Sequence, residues 1–110
     1  MPRPKKPRLV SGHPAVTRFG PLDTAPTGEV TLSVEGMEAV KLSDADGMDQ
    51  DTAAKLMGVS RQTYGRILAE ARRIVAHALV TGKALRVGGG NYEFRGHRGL
   101  RRRRRGGRGV

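Results

Sequence analysis

Hydrophobic positions fall into three regimes along the chain. From Ser60 onward, Tyr64, Ile67, Leu68, Ala71, Ile74, Val75, Ala78 and Leu79 recur at the i, i+3, i+4, i+7 spacing, which predicts a long amphipathic helix capped by Ser60 and stopped by Gly82. Tyr64 and Ile67 are expected in the core. Before it, Ala53, Ala54, Leu56 and Met57 lie between Asp49, a good N-cap, and Gly58, the limits of a short helix. An earlier helix is expected over about 34–46, although Gly36 lowers its propensity and its apolar residues Met37, Ala39, Val40, Leu42 and Ala45 spread around the axis.

Period-two patterns flank the helices. Val30, Leu32 and Val34 alternate with Thr31 and Ser33, the pattern of a short strand or of a lead directly into a helix capped at Ser33. Ala84–Val87, closed by Gly88, Gly89 and Gly90, reads as a second strand that could pair with the Val30 segment. Residues 1–28 hold all six prolines and read as an extended Pro-rich basic arm able to lie along a surface. From 94 to 110 almost nothing is apolar, so an Arg/Gly-rich disordered tail is expected. Three parts result: 1–28 as arm, 29–93 as the domain and 94–110 as tail. The fold class expected is mainly α, a three-to-four-helix domain with short strands flanking it.

The net charge of +11 changes the picture because of where it sits. Arg3, Lys5, Lys6 and Arg8 open the chain, and Arg95, Arg98, Arg101 to Arg105 and Arg108 close it, with no acid among either set. The body between is nearly neutral. Within it, Glu29, Glu35, Glu38, Asp44, Asp46, Asp49 and Asp51 precede a basic half of Lys55, Arg61, Arg66, Arg72, Arg73, Lys83 and Arg86 against Glu70. A polyanionic partner is implied.

Candidate chemistry narrows the partner. Met57-Gly58-Val59-Ser60 joins two helices with a glycine at the turn, an aliphatic plug after it and a cap, the sequence form of a helix-turn-helix. The outward positions that follow are Arg61, Gln62, Gly65 and Arg66; Arg suits a guanine edge and Gln an adenine edge in the major groove. Thr63, Lys55, Arg72 and Arg73 are the expected phosphate contacts, Ser60, the helix cap, is counted with the DNA-binding residues, and Arg3 or Arg8 of the arm is expected to reach a groove.

The run from Leu32 to Leu79, with EGMEAVKL and GVSRQTYGRIL, resembles region four of sigma factors. PRPKKPR, GVSRQTYGRILAEARR and GKALRVGGGNY resemble the small prokaryotic family catalogued as uncharacterised protein family 0251, predicted to bind DNA. These resemblances imply a sigma-region-four-like fold and DNA binding; they name no target.

Other chemistry lacks its residues. There is no Cys, so no disulfide or thiolate metal site exists, and cytoplasmic residence, with nucleoid association, is expected. His13, His77 and His97 are too dispersed for a metal site, and Asp44, Asp46, Asp49 and Asp51 lack the closing Glu of a calcium loop. No nucleophile, catalytic residue or cofactor is expected. The expected partner is double-stranded DNA. The alternatives are a non-specific nucleoid- or RNA-associated role driven by the arms, and docking on RNA polymerase. A homodimer seam through Ile74, Val75, Ala78 and Leu79 is a further expectation.

Overall fold

The computed structural model describes residues 7–95. In chain order they form β1 (Arg8–Val10), β2 (Arg18–Phe19), β3 (Glu29–Leu32), α1 (Val34–Val40), α2 (Gln50–Met57), α3 (Arg61–Thr81), β4 (Ala84–Val87) and β5 (Tyr92–Phe94). The architecture is mainly helical with short flanking strands, as the patterning predicts.

Both readings of the Val30 segment hold together, because the strand ends at Leu32 and Ser33 then caps α1 by accepting the Gly36 amide at 3.0 Å. Gly36 is required by packing. A Cβ there would stand 2.9 Å from Leu32 Cδ1 and 3.4 Å from Ala71 Cβ, so glycine lets α1 approach β3 and α3 closely.

The helix expected to reach 46 instead changes form after Val40. Lys41–Ala45 makes one wide turn in which the Asp46 amide donates to Lys41 O at 2.8 Å, an i to i+5 bond. The cause lies in α3. The Tyr64 hydroxyl donates to Ala39 O at 3.0 Å and pairs with Ser43 Oγ at 2.5 Å, occupying a carbonyl of the helical ladder from outside, and such insertion is a known source of π-type turns and bends.

Two sheets brace the helices. β3 and β4 pair in parallel with Val30 opposite Leu85, and β2 adds antiparallel to the other edge of β4, giving the order β2-β4-β3. β1 and β5 form a separate parallel pair with Leu9 opposite Glu93. Of the arm expected over 1–28, the described part includes β1 and β2, and Val10 of β1 is fully buried, while most residues between 11 and 28 are exposed. The two strands of this segment pair with β5 and β4, which satisfies their backbone groups on that side. Likewise Phe94 and Arg95, assigned to the tail, belong to the fold. Arg95 Nη2 meets Glu38 Oε2 at 3.0 Å, its Nε donates to Leu56 O, and Glu38, only 4% exposed, also accepts from Ser11 Oγ.

α3 spans both halves of the core. Its first turns put Tyr64 and Leu68 against Ala39, Leu42, Ala53, Ala54 and Met57, and its later turns put Ala71 and Ala78 against Leu32, Leu85 and Val87 of the sheet. Ile67 is only partly buried at the edge of the first cluster. Ile74 and Val75 pack on the second cluster, so the stripe expected to form a dimer seam is largely occupied by the sheet, and Leu79 stays 79% exposed. No helix of the described residues is long and apolar enough to cross a membrane.

Candidate nucleic-acid interface

The turn between α2 and α3 is built by local bonds. Asp49 Oδ1 accepts the Thr52 amide at 2.8 Å to start α2, and Gly58 ends it at φ 69°, with the Val59 amide donating to Ala54 O at 3.0 Å. This is a glycine-dependent helix stop. Leu9 of β1 packs on the turn so closely that a Cβ on Gly58 would lie 3.3 Å from its Cδ1. Val59 packs partly buried on the helical core, and Ser60 Oγ then accepts the Thr63 amide at 3.0 Å to begin α3. Ser60 Oγ also donates to Thr63 Oγ1 at 3.1 Å. Ser60 is thus placed first as a cap.

The buried residues Tyr64, Leu68, Ala71 and Ala78 fix one half of α3 inward, which turns Arg61, Gln62, Arg66, Ala69, Arg72 and Arg73 to the surface. Gly65, expected to face outward, is half-buried beside Gln50 Oε1. Arg61 stands 3.7 Å from Asp51 with both side chains mostly exposed, a pair of little energetic weight. Gln62, Arg66 and Lys55 are exposed and have no side-chain hydrogen-bond or ion-pair partner among the described residues.

Arg72 and Arg73 are held differently. Arg72 forks onto Asp44 at 2.7 and 3.1 Å, and Arg73 forks onto Glu70 at 2.8 and 3.2 Å. The hydrogen bonds from Arg72 and from Arg73 hold the Asp44 and Glu70 carboxyls below their ordinary range, and the partner guanidinium values rise. The Asp49 carboxyl is lowered mainly by the Thr52 amide it caps. Thr63 is half-buried with its hydroxyl engaged by Ser60.

Arg8 is in β1, half-buried, with Nε buried and without a hydrogen-bond partner among the described residues. It lines the same cavity as Thr63 and Arg66, so β1 is beside the first turns of α3. Arg3 lies outside the described residues, as do Arg98, Arg101 to Arg105 and Arg108. The site therefore brings Lys55, Ser60, Arg61, Gln62, Thr63 and Arg66 to the turn and the first turns of α3, with Arg72 and Arg73 further along. Sequence reasoning missed the placing of Arg8 and Glu35 beside Arg66; the Arg8-Leu9-Val10 alternation between Pro7 and Gly12 is the one local signal for it. No group of three or more His, Asp or Glu that could hold a metal occurs among the described residues; His13 instead meets the Phe94 ring edge-on at 4.6 Å.

Comparison with known proteins gives a consistent result. The chain is 50% identical over 110 residues to a UPF0251 protein of Thermoanaerobacter sp. (strain X514), covering 94% of this chain and 97% of that protein. It is 49% identical over 96 residues to a UPF0251 protein of Pelotomaculum thermopropionicum, covering 86% of this chain and 73% of that one. A UPF0251 protein of Syntrophobacter fumaroxidans is 50% identical over 93 residues, 82% of this chain and 59% of that one. No solved structure matches. Residues 1–95 match the model of a family described as protein of unknown function DUF134, and with these relatives beside it the chain belongs to that family.

Proposed function

We propose that this chain binds double-stranded DNA and regulates transcription, with the first turns of α3 entering the major groove in the manner of a sigma-region-four-like helix-turn-helix. The observation that carries the reading is the exposure of Arg61, Gln62 and Arg66 on a capped helix start whose opposite face is locked by Tyr64 and Leu68. Side chains that long, held on a rigid scaffold, suit base edges. Lys55, Ser60 and Thr63 are the nearest donors for phosphates. Arg72 and Arg73 can exchange their exposed carboxylate partners for phosphates at small cost, since surface ion pairs contribute little. The acid-free basic runs at the two ends of the chain add attraction that ignores sequence. The role is binding, without catalysis or a resident cofactor.

The five consecutive arginines Arg101 to Arg105 favour a second reading, a non-specific nucleoid or RNA binder in which the domain is a spacer. Selection from a random duplex pool at moderate salt separates the two. Direct readout returns a consensus, and Gln62→Ala or Arg66→Ala then weakens binding to it by about 1–3 kcal/mol per bidentate base pairing removed, while relaxing preference at one position. An absent consensus, or equal weakening on selected and random duplexes, sinks the first reading and favours the second. A complex with RNA polymerase that survives nuclease treatment would instead mark a protein-docking role.

A further inference from the structure

A cavity of about 400 Å³ opens between α1, β3 and α3, beside Arg66. Gly36 and Ala71, at the closest approach of α1 and α3, form part of its lining. Its apolar surface comes from Leu32, Ile67, Ala71 and Ile74. Around this surface stand charged groups of both signs, Arg8 and Arg66 on one hand and Glu35 on the other.

Those charges do not satisfy one another. Among the described residues, neither Arg8 nor Arg66 forms an ion pair, and Arg8 Nε is buried with no acceptor. Glu35 accepts the Asn91 amide at 3.1 and 3.2 Å, which fixes its carboxylate while leaving acceptor capacity, because an ionised carboxylate can take about four hydrogen bonds. Glu70 also lines the cavity, but its oxygens are forked onto Arg73. A purely anionic ligand would meet Glu35, and a purely cationic one would meet two guanidiniums. A zwitterion meets each with the opposite sign.

We propose that this cavity binds a free α-amino acid with an apolar side chain, its carboxylate on Arg8 and Arg66, its ammonium on Glu35 and its side chain over Ile67 and Ile74. The volume suits a small ligand, whose apolar body and few fixed polar contacts are the usual division of labour in such sites. Arg66 is also a proposed base-reading residue, so this regulatory consequence rests on the DNA-binding reading: an occupied cavity withdraws Arg66 and lowers affinity for the selected duplex. The coupling is reciprocal, and DNA lowers affinity for the amino acid by the same factor.

The test uses the full chain without DNA, labelled with nitrogen-15 and titrated separately with L-valine, L-leucine and L-methionine. Saturable shifts of the Gly36, Thr63 and Ala71 amide signals are expected with at least one, and none with its N-acetyl or carboxamide derivative, each of which lacks one pole. Glu35→Gln keeps an acceptor for the Asn91 amide and is expected to weaken the amino acid about tenfold or more while preserving the spectrum. Absence of saturable shifts with all three up to about 10 mM, or equal binding of the derivatives, overturns the site; the derivatives make this judgement on the unaltered protein. Binding of the amino acid with unchanged duplex affinity overturns the coupling. A protein that selects no duplex yet binds the amino acid overturns the DNA reading and supports the site.

Discussion

Tyr64 links the proposed reading helix to the helix behind it through one oxygen atom. Its ring fills the core, and its hydroxyl donates to Ala39 O while accepting from Ser43. Burial pushes the phenol above its ordinary value, so it is a neutral donor near neutral pH. Tyr64→Phe strands a buried carbonyl, and a drop of about 1–2 kcal/mol in urea unfolding is expected. An unchanged midpoint would mean that the hydroxyl does not shape the wide turn. Glu38 poses the sharper case, since it is buried and its charge is matched by Arg95. Arg95→Ala leaves an unmatched buried carboxylate and should cost about 3 kcal/mol in the same assay, whereas a mobile-tail residue would cost nothing. The sequence hint was a lone acid inside Met37-Glu38-Ala39-Val40, but nothing local says that its partner comes from residue 95.

Among elements, the turn at Gly58 is one whose backbone resists substitution. Its φ of 69° and the nearness of Leu9 both oppose a side chain, so Gly58→Ala is expected to destabilise by roughly 1–3 kcal/mol. Retained stability in thermal unfolding would contradict the left-handed geometry. Elements with strong local signals were legible from composition and spacing alone: α2 between Asp49 and Gly58, α3 between Ser60 and Gly82, and β4 with its pairing to β3. Ser60, Arg61, Gln62 and Arg66 were placed at the helix start for the same reason. What escaped were β1, β2 and β5, two or three residues each, too short to show a period. The wide turn after Val40 also escaped, because its cause is a hydroxyl on another helix. The Asp44 partner of Arg72 depends on which helical face Tyr64 and Leu68 bury, whereas Glu70 and Arg73 meet by the i,i+3 spacing of one helix.

For the whole molecule, charge is divided between a nearly neutral body and its basic ends. Exchanging Arg101 to Arg105 for Gln should lower affinity for every duplex alike and flatten the dependence on salt concentration, measured by titration at several ionic strengths. An unchanged slope would remove those arginines from the binding surface. In the body, Asp44, Asp49 and Glu70 titrate below their ordinary values. Each therefore contributes stability that is complete above the unfolded-state carboxylate range and is lost as pH falls through the lower folded values. Thermal midpoints should be flat near neutrality and drop below about pH 4, and a rise on acidification would contradict the sign. The order of synthesis meets the same architecture from one end. β1 begins at Arg8 and, among the described residues, its strand partner is β5 at Tyr92–Phe94, so a nascent chain leaving the ribosome holds Val10 uncovered by that partner until residues 92–94 have emerged. Pairings so distant along the chain slow the final closure, and ribosome-bound chains halted before Tyr92 would be more open to protease near Val10 than the released protein.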